Sequence, residues 1–245
     1  RQAYFEMRRT NPSDSSFDAA AARLAAYNKF RADLAAEKTN PKITAILANQ
    51  YHSEVWQGIG PAPIFNGQTP TNATAASRSA VSGRTNAIAI DGIDNAVYIG
   101  GAQGGVWKSV NHGATWTPLS DTSFGSLAIG SITIAPGAHL LNQATIYVGT
   151  GEGNFSGDSY AGAGIYKSTN SGQSWQLLSP NNNPFVGRAV PAIAVDSTNT
   201  NVVLAGSTTG YAGVGGVNTT VVGQRAIYRS ADGGSTWTRV LPTTT

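Results

Sequence analysis

The stretch that decides the fold is Ser109-Val-Asn-His-Gly-Ala-Thr-Trp116, because the chain writes it three times. It returns as Ser168-Thr-Asn-Ser-Gly-Gln-Ser-Trp175 and as Ser230-Ala-Asp-Gly-Gly-Ser-Thr-Trp237. The three Trp positions lie 59 and then 62 residues apart. Each copy follows an aromatic-basic-Ser triplet: Trp107-Lys108-Ser109, Tyr166-Lys167-Ser168 and Tyr228-Arg229-Ser230. Two apolar runs precede each triplet. The first set is Asn86–Asp91, Gly130–Ala135 and Ala192–Asp196; the second is Ala96–Gly100, Thr145–Gly149 and Asn201–Ala205. Each repeat therefore reads as four short strands of period-two character, and a four-stranded sheet at a fixed period is the unit of a β-propeller. Propellers typically close with about four to eight blades, so three blades imply a partial ring.

The repeated segment predicts a turn between the third and fourth strand of each blade. Asn111, Asn170 and Asp232 have short side chains that accept from backbone N–H groups two residues on. Gly113, Gly172 and Gly234 supply positive φ. Trp116, Trp175 and Trp237 then lay a large ring against the adjoining strand. Trp175, in the middle blade, is expected to be largely buried, with Trp175→Ala costing roughly 3–5 kcal/mol.

The bulk composition agrees with this fold. Hydrophobic residues make up 40% and charged residues only 12%, so Ser, Thr, Asn, Gln and backbone must supply the polar surface. The 29 Gly and 11 Pro suit many tight turns. The net charge is +3 without a basic block or stripe, which argues against a nucleic-acid partner. No apolar run approaches the roughly 20 residues of a membrane span. The absence of Cys excludes disulfides, zinc-thiolate sites and thiol catalysis. The chain opens at Arg1 with neither Met nor a signal-like apolar run, which reads as a removed leader or a start inside a longer polypeptide.

Three regions are expected. Residues 1–56 read as an N-terminal helical arm, since Phe17, Ala21, Leu24, Tyr27 and Leu34 recur at helical spacing and Pro41 opens a second helix. Residues 57–81 read as a Gly- and Pro-punctuated linker with at most a short strand near Ile64-Phe65. Residues 82–245 carry the partial all-β propeller.

The three segments built on Ser109, Ser168 and Ser230 resemble the Asp-box, or bacterial neuraminidase repeat. Ser82-Gly-Arg-Thr, Tyr98-Ile-Gly-Gly, Gly105-Val-Trp-Lys-Ser and Gly149-Thr-Gly-Glu152 also resemble bacterial secreted propellers with sortilin-like repeats. The resemblance covers about residues 56–245. Two boxes carry Asn where the family prefers Asp, and Asn makes a similar turn. The family includes sialidases, xyloglucanases, sortilin-type receptors and assembly factors, so the resemblance implies an extracytoplasmic bacterial protein but not one activity.

A sialidase of this kind would show an arginine triad and an Arg-Ile-Pro motif. The motif is absent, and Arg84 and Arg188 have Gly130 at the third place. An inverting glycosidase needs two carboxylates roughly 6.5–9.5 Å apart. The candidates are Asp91, Asp94, Glu152, Asp158 and Asp196, of which Asp91 and Asp196 stand at strand ends where Asp starts a turn. His52, His112 and His139 are scattered, the glycines at 100–105 join two strands with no helix behind them, and neither metal nor cofactor is expected. The expected function is a non-catalytic scaffold for a protein or glycan; the alternative is a glycoside hydrolase, xyloglucanase-like or sialidase-like, with catalytic residues partly outside this chain. Further blades or a partner subunit would close the ring. The expected binding site is Arg84 and Arg188, each before an innermost strand, with Glu152, Asp158 and Tyr160 from the loop between them. The competing reading pairs each arginine with a nearby Asp or a backbone carbonyl, so that both only tie blades together.

Overall fold

The computed structural model describes residues 83–154, 159–209 and 223–242. The expected helical arm, the linker, the strand near Ile64 and Asp158 lie outside the described residues. Twelve strands run through the described part, in three antiparallel sheets of four.

Blade one is β1 (Thr85–Asp91), β2 (Ala96–Gly101), β3 (Val106–Ser109) and β4 (Thr117–Pro118). Blade two is β5 (Ile129–Ile134), β6 (Ile146–Thr150), β7 (Ile165–Ser168) and β8 (Gln176–Leu177). Blade three is β9 (Ala189–Val195), β10 (Val203–Thr208), β11 (Ala226–Ser230) and β12 (Thr238–Pro242). Each sheet is a simple meander in chain order. The three blades share one register, with Ala87↔Gly100, Ser131↔Gly149 and Ala192↔Gly206 at equivalent places. The first strand of each blade packs on the first strand of the next, β1 on β5 and β5 on β9, which is a propeller-like stacking.

The period-two pattern of the strands sorts side chains between two cores. All five residues of β6 are buried, because blade two is covered on both faces. Ile146 and Val148 turn to blade one, joining Tyr98, Val106, Phe124, Ile129 and Ile132. Tyr147 turns to blade three, joining Ile165, Phe185, Val190, Ile193 and Val203. On β2 only alternate residues, Ala96, Tyr98 and Gly100, are buried, while Val97 and Ile99 are half-buried. Innermost strands are also tied by hydrogen bonds: Asn86 Nδ2 donates to Ile129 O (3.1 Å), Ser131 Oγ to Val190 O (2.8 Å) and Thr133 Oγ1 to Ile193 O (2.8 Å).

The three turns share one geometry. Ser109, Ser168 and Ser230 are each 1% exposed, and their hydroxyls are the hubs. Each Oγ donates to the Asn or Asp Oδ1 two residues on (3.0, 2.9 and 2.7 Å) and accepts from the Gly N four residues on (2.8, 2.9 and 2.8 Å). The Asn and Asp side chains accept from Thr115 N, Ser174 N and Thr236 N, four residues on and not two as expected. The difference follows from Ser: its hydroxyl holds the near N–H groups and leaves Oδ1 to close the wider loop. Gly113, Gly172 and Gly234 have φ of 87°, 86° and 99°, as the sequence implies. The residue before each, His112, Ser171 and Gly233, is left-handed as well.

The Trp rings are half-buried, less than expected for Trp175. Trp175 stands edge-on to Phe124 with centroids 5.2 Å apart and donates Nε1 to Leu119 O (3.1 Å). Trp237 stands edge-on to Phe185 at 5.1 Å. Each of these two rings therefore bridges to the segment that follows the previous blade, and its outer edge stays in solvent.

Candidate functional site

Arg84 and Glu152 come from different blades and meet. Arg84 precedes β1, and its carbonyl accepts from Ala102 N (2.8 Å). Glu152 follows β6, placed by Gly151 at φ 89°, and its N–H donates to Tyr160 O (2.8 Å). A Cβ on Gly151 would lie 2.6 Å from Arg188 O and 2.7 Å from Ala189 Cα, so only Gly lets the loop pass blade three. Gly162 is pinned in the same way, with Thr150 O at 2.3 Å from a notional Cβ. The loop is thus threaded closely between β1 and β9, and it delivers the Glu152 carboxylate to the end of β1.

There the Arg84 guanidinium forms an ion pair with Glu152 Oε1. Glu152 is fully buried, while the Arg84 side chain is 43% exposed, so the pair joins an interior carboxylate to a cation that reaches solvent. Asn154 Nδ2 donates to Asn86 Oδ1 (3.0 Å) and to Glu152 Oε1 (3.4 Å). The result is a polar cluster of guanidinium, carboxylate and two amides across the seam of blades one and two.

Arg188 is engaged elsewhere. Its Nε donates to Gly223 O, and its carbonyl accepts from Gly162 N (2.7 Å). Burial, reinforced by the nearby Arg225 charge, pulls the Arg188 guanidinium below its usual range. Arg84 thus meets a carboxylate and Arg188 a backbone carbonyl. Tyr160 is half-buried and meets Glu152 through the backbone bond already given. The register also assigns the third place differently: Gly151 N donates to Ala128 O (2.7 Å) as Ala102 N does to Arg84 O. Ala128, not Gly130, stands at the place of Arg84, since the bulge at Ile129–Ser131 repeats the one at Thr85–Ala87 and the count is the same in both blades.

No protein-family model matches this sequence, and no curated protein matches it. The chain is similar to solved GH74 enzymes. One is an ancestral GH74 enzyme, at 24% identity and TM-score 0.47, covering 65% of this chain and 18% of that one. The GH74 enzyme of Niastella koreensis follows at 23% and 0.43, covering 64% and 21%. The GH74 xyloglucanase of Xanthomonas campestris stands at 17% and 0.33, covering 63% and 29%. This chain thus spans less than a third of the length of each.

The other carboxylates divide by end. Asp91 and Asp94 sit at the β1–β2 turn, roughly 20 Å along the strand from Arg84 at about 3.3 Å per residue. Asp196 closes the equivalent turn of blade three, where Oδ1 accepts from Thr198 N and Thr198 Oγ1, both at 2.7 Å. Those hydrogen bonds, the hydroxyl's first, hold it below the usual carboxylate range. Asp121 was not singled out by sequence. Its Oδ1 lies 3.4 Å from a notional Cβ on Gly105, in the β2–β3 hairpin at the Arg84 end, and burial raises its carboxyl. No spacing in the sequence marks it, since it follows a plain Leu119-Ser120 strand exit.

Proposed function

We propose that this chain belongs to an extracytoplasmic propeller that engages a polysaccharide at the Arg84–Glu152 face, as part of a glycoside hydrolase. The observation that carries the reading is the cluster itself. A buried carboxylate, a half-exposed guanidinium and the amides of Asn86 and Asn154 converge where the innermost strands end. Fixed donors and acceptors of this kind recognise sugar hydroxyls, and a site built to hydrogen-bond a ligand rejects one that lacks the group. The solved structures to which the chain is similar include a xyloglucanase, which makes a β-glucan the first ligand class to try. In that reading Tyr160 borders the ligand, and a second carboxylate completes the reaction from Asp121 or from residues outside the described part. A second reading, a non-catalytic scaffold, is favoured by the ion pair, since a carboxylate held by Arg84 is already neutralised.

The test is a panel of soluble polysaccharides run against the intact protein, scored for retention in affinity electrophoresis and for release of reducing ends. Retention with release supports the hydrolase. Retention without release leaves the scaffold. Loss of retention in Asn154→Ala, an exposed position, places the ligand at this face. No retention on any polysaccharide overturns both glycan readings.

A further inference from the structure

At the opposite end of β1, two residues from blade one meet one from blade two. Asp91 closes β1 and is 4% exposed. Its Oδ1 accepts from Ile93 N (2.9 Å) and Asp94 N (3.3 Å). Its Oδ2 is buried and has no hydrogen-bond partner. Blade three shows what this position needs. Equivalent Asp196 is exposed and receives a hydroxyl from Thr198, whereas blade one has Ile93 there, with no hydroxyl to give. A buried carboxylate oxygen left in that state is destabilising unless a cation faces the group.

His139 supplies the clue to that cation. It reaches across from the β5–β6 loop, with Nε2 3.2 Å from Asp91 Oδ1 and Nδ1 2.8 Å from Leu140 O. A carbonyl only accepts, so Nδ1 carries the proton of that bond. A neutral ring with its proton on Nδ1 turns the Nε2 lone pair toward Asp91, a contact that a cation between the two relieves, whereas a protonated ring donates to Asp91 directly. A backbone carbonyl on the far ring nitrogen is also the usual outer support of a metal-binding imidazole. Asp94 completes the set: ligand atoms of Asp91, Asp94 and His139 all lie within 4.8 Å of one another. Asp94 is itself fixed, accepting from Asn142 N (2.8 Å) and Ser171 Oγ (2.6 Å), both of blade two.

The geometry points to a divalent transition-metal site, formed by Asp91, Asp94 and His139, that clips blade one to blade two. Two carboxylates and a neutral imidazole balance a charge of +2. The imidazole selects a borderline ion such as zinc over calcium or magnesium, which prefer all-oxygen sets. The three ligands leave a position for water. The site is separate from the Arg84–Glu152 cluster by the length of β1, so it acts on the seam between blades and stands whether or not the glycan reading does.

The experiment uses the intact protein, stripped with a chelator and titrated with zinc chloride, followed by calorimetry and by thermal melting. The expected result is one zinc bound per chain with a melting temperature raised by several degrees, and no comparable rise with calcium. His139→Ala abolishes both effects, and Asp94→Asn weakens binding at least tenfold. His112→Gly, an exposed turn histidine, leaves zinc affinity unchanged and shows that histidine number alone is not the cause. Circular dichroism confirms that each variant is folded before titration. Absence of zinc uptake by the folded wild-type protein overturns the site and leaves a protonated His139 as the bridging cation. Uptake unchanged in His139→Ala overturns it equally, because the ion would then sit elsewhere.

Discussion

At the residue scale, the turns show why three sequences that differ at most positions make one shape. What they share is a buried Ser hydroxyl, an acceptor two residues on and a Gly at positive φ four residues on. The repeat marks all three positions, but spacing alone does not show that the Ser hydroxyl takes the nearer N–H and leaves the Asn or Asp the one four residues on. The acceptor is Asn in two blades and Asp in the third, and this gives a pH test. Hydrogen bonds from the Thr236 hydroxyl, then from Thr236 N and Ser230, hold Asp232 at about 2, below the unfolded value of about 3.9. A depressed folded value means that the ionised form stabilises the fold above about pH 4, and that this contribution fades as the pH falls toward 2. Asp232→Asn keeps the turn, as Asn111 and Asn170 do, but cannot titrate. The stability gap between wild type and Asp232→Asn is therefore expected to narrow between pH 6 and pH 3. Thermal melts of both at the two pH values measure it, and a constant gap would show that the Asp232 charge plays no part.

The same scale explains a strained histidine. His112 has φ of 56°, where a side chain costs about 1 kcal/mol and Gly costs nothing. Blade three already places Gly233 there. His112→Gly is expected to raise stability by about 0.5 kcal/mol once the greater freedom of unfolded Gly is deducted. Urea titration with an unchanged slope reads it directly.

At the element scale, the strands were legible because their signal is local. Aromatic-basic-Ser triplets and apolar runs mark nine of the strand positions within a few residues, and the other three each follow a Trp of the repeated turn. The partners across blades were not legible. Arg84 meets Glu152 and Asp91 meets His139 at separations of 68 and 48 residues, and no periodicity links them; only the stacking order of the sheets does. Trp burial was overestimated for a related reason. The sequence shows that a ring follows each turn but not that the turn sits at the rim of the blade. Trp175 still packs on Phe124, whose ring stacks on Tyr166 at 4.0 Å. Trp175→Ala is therefore expected to cost about 2–3 kcal/mol, below the roughly 3–5 of a fully buried Trp. Thr133→Val is expected to cost about 1 kcal/mol, since it removes one hydrogen bond between innermost strands and leaves Ile193 O with one donor fewer. Chemical denaturation of each variant checks the order; a larger loss for Thr133→Val would mean that seam hydrogen bonds outweigh rim packing.

At the scale of the whole molecule, the two outer faces tell what should cover them. Ile132 and Ile193, at matching places in β5 and β9, are each 8% exposed because the preceding blade covers them. Ile88 is their equivalent in β1 and is 65% exposed, with Ile90 at 72% beside it. Blade three carries the opposite signature. A Cβ on Gly100 would lie 2.4 Å from Ile129, and one on Gly149 would lie 2.5 Å from Val190 O, so these two glycines exist to let the next blade cross. Gly206 occupies the same register position, yet its nearest atom would be Ala192 O at 4.0 Å. A glycine there weakens a strand and lacks a local reason among the described residues. A further blade crossing β10 as β5 crosses β2 and β9 crosses β6 would supply that reason. Gly206→Ala separates the cases. If β10 faces solvent, alanine is tolerated or slightly favourable. If another blade packs there, the new methyl meets backbone or side chain at well under 3 Å, and stability falls by more than about 2 kcal/mol, as overpacking does. The measurement compares melts of Gly206→Ala and Gly149→Ala in the native protein. Equal losses place a blade against β10, and a neutral Gly206→Ala beside a destabilised Gly149→Ala would mean that the stack ends at blade three.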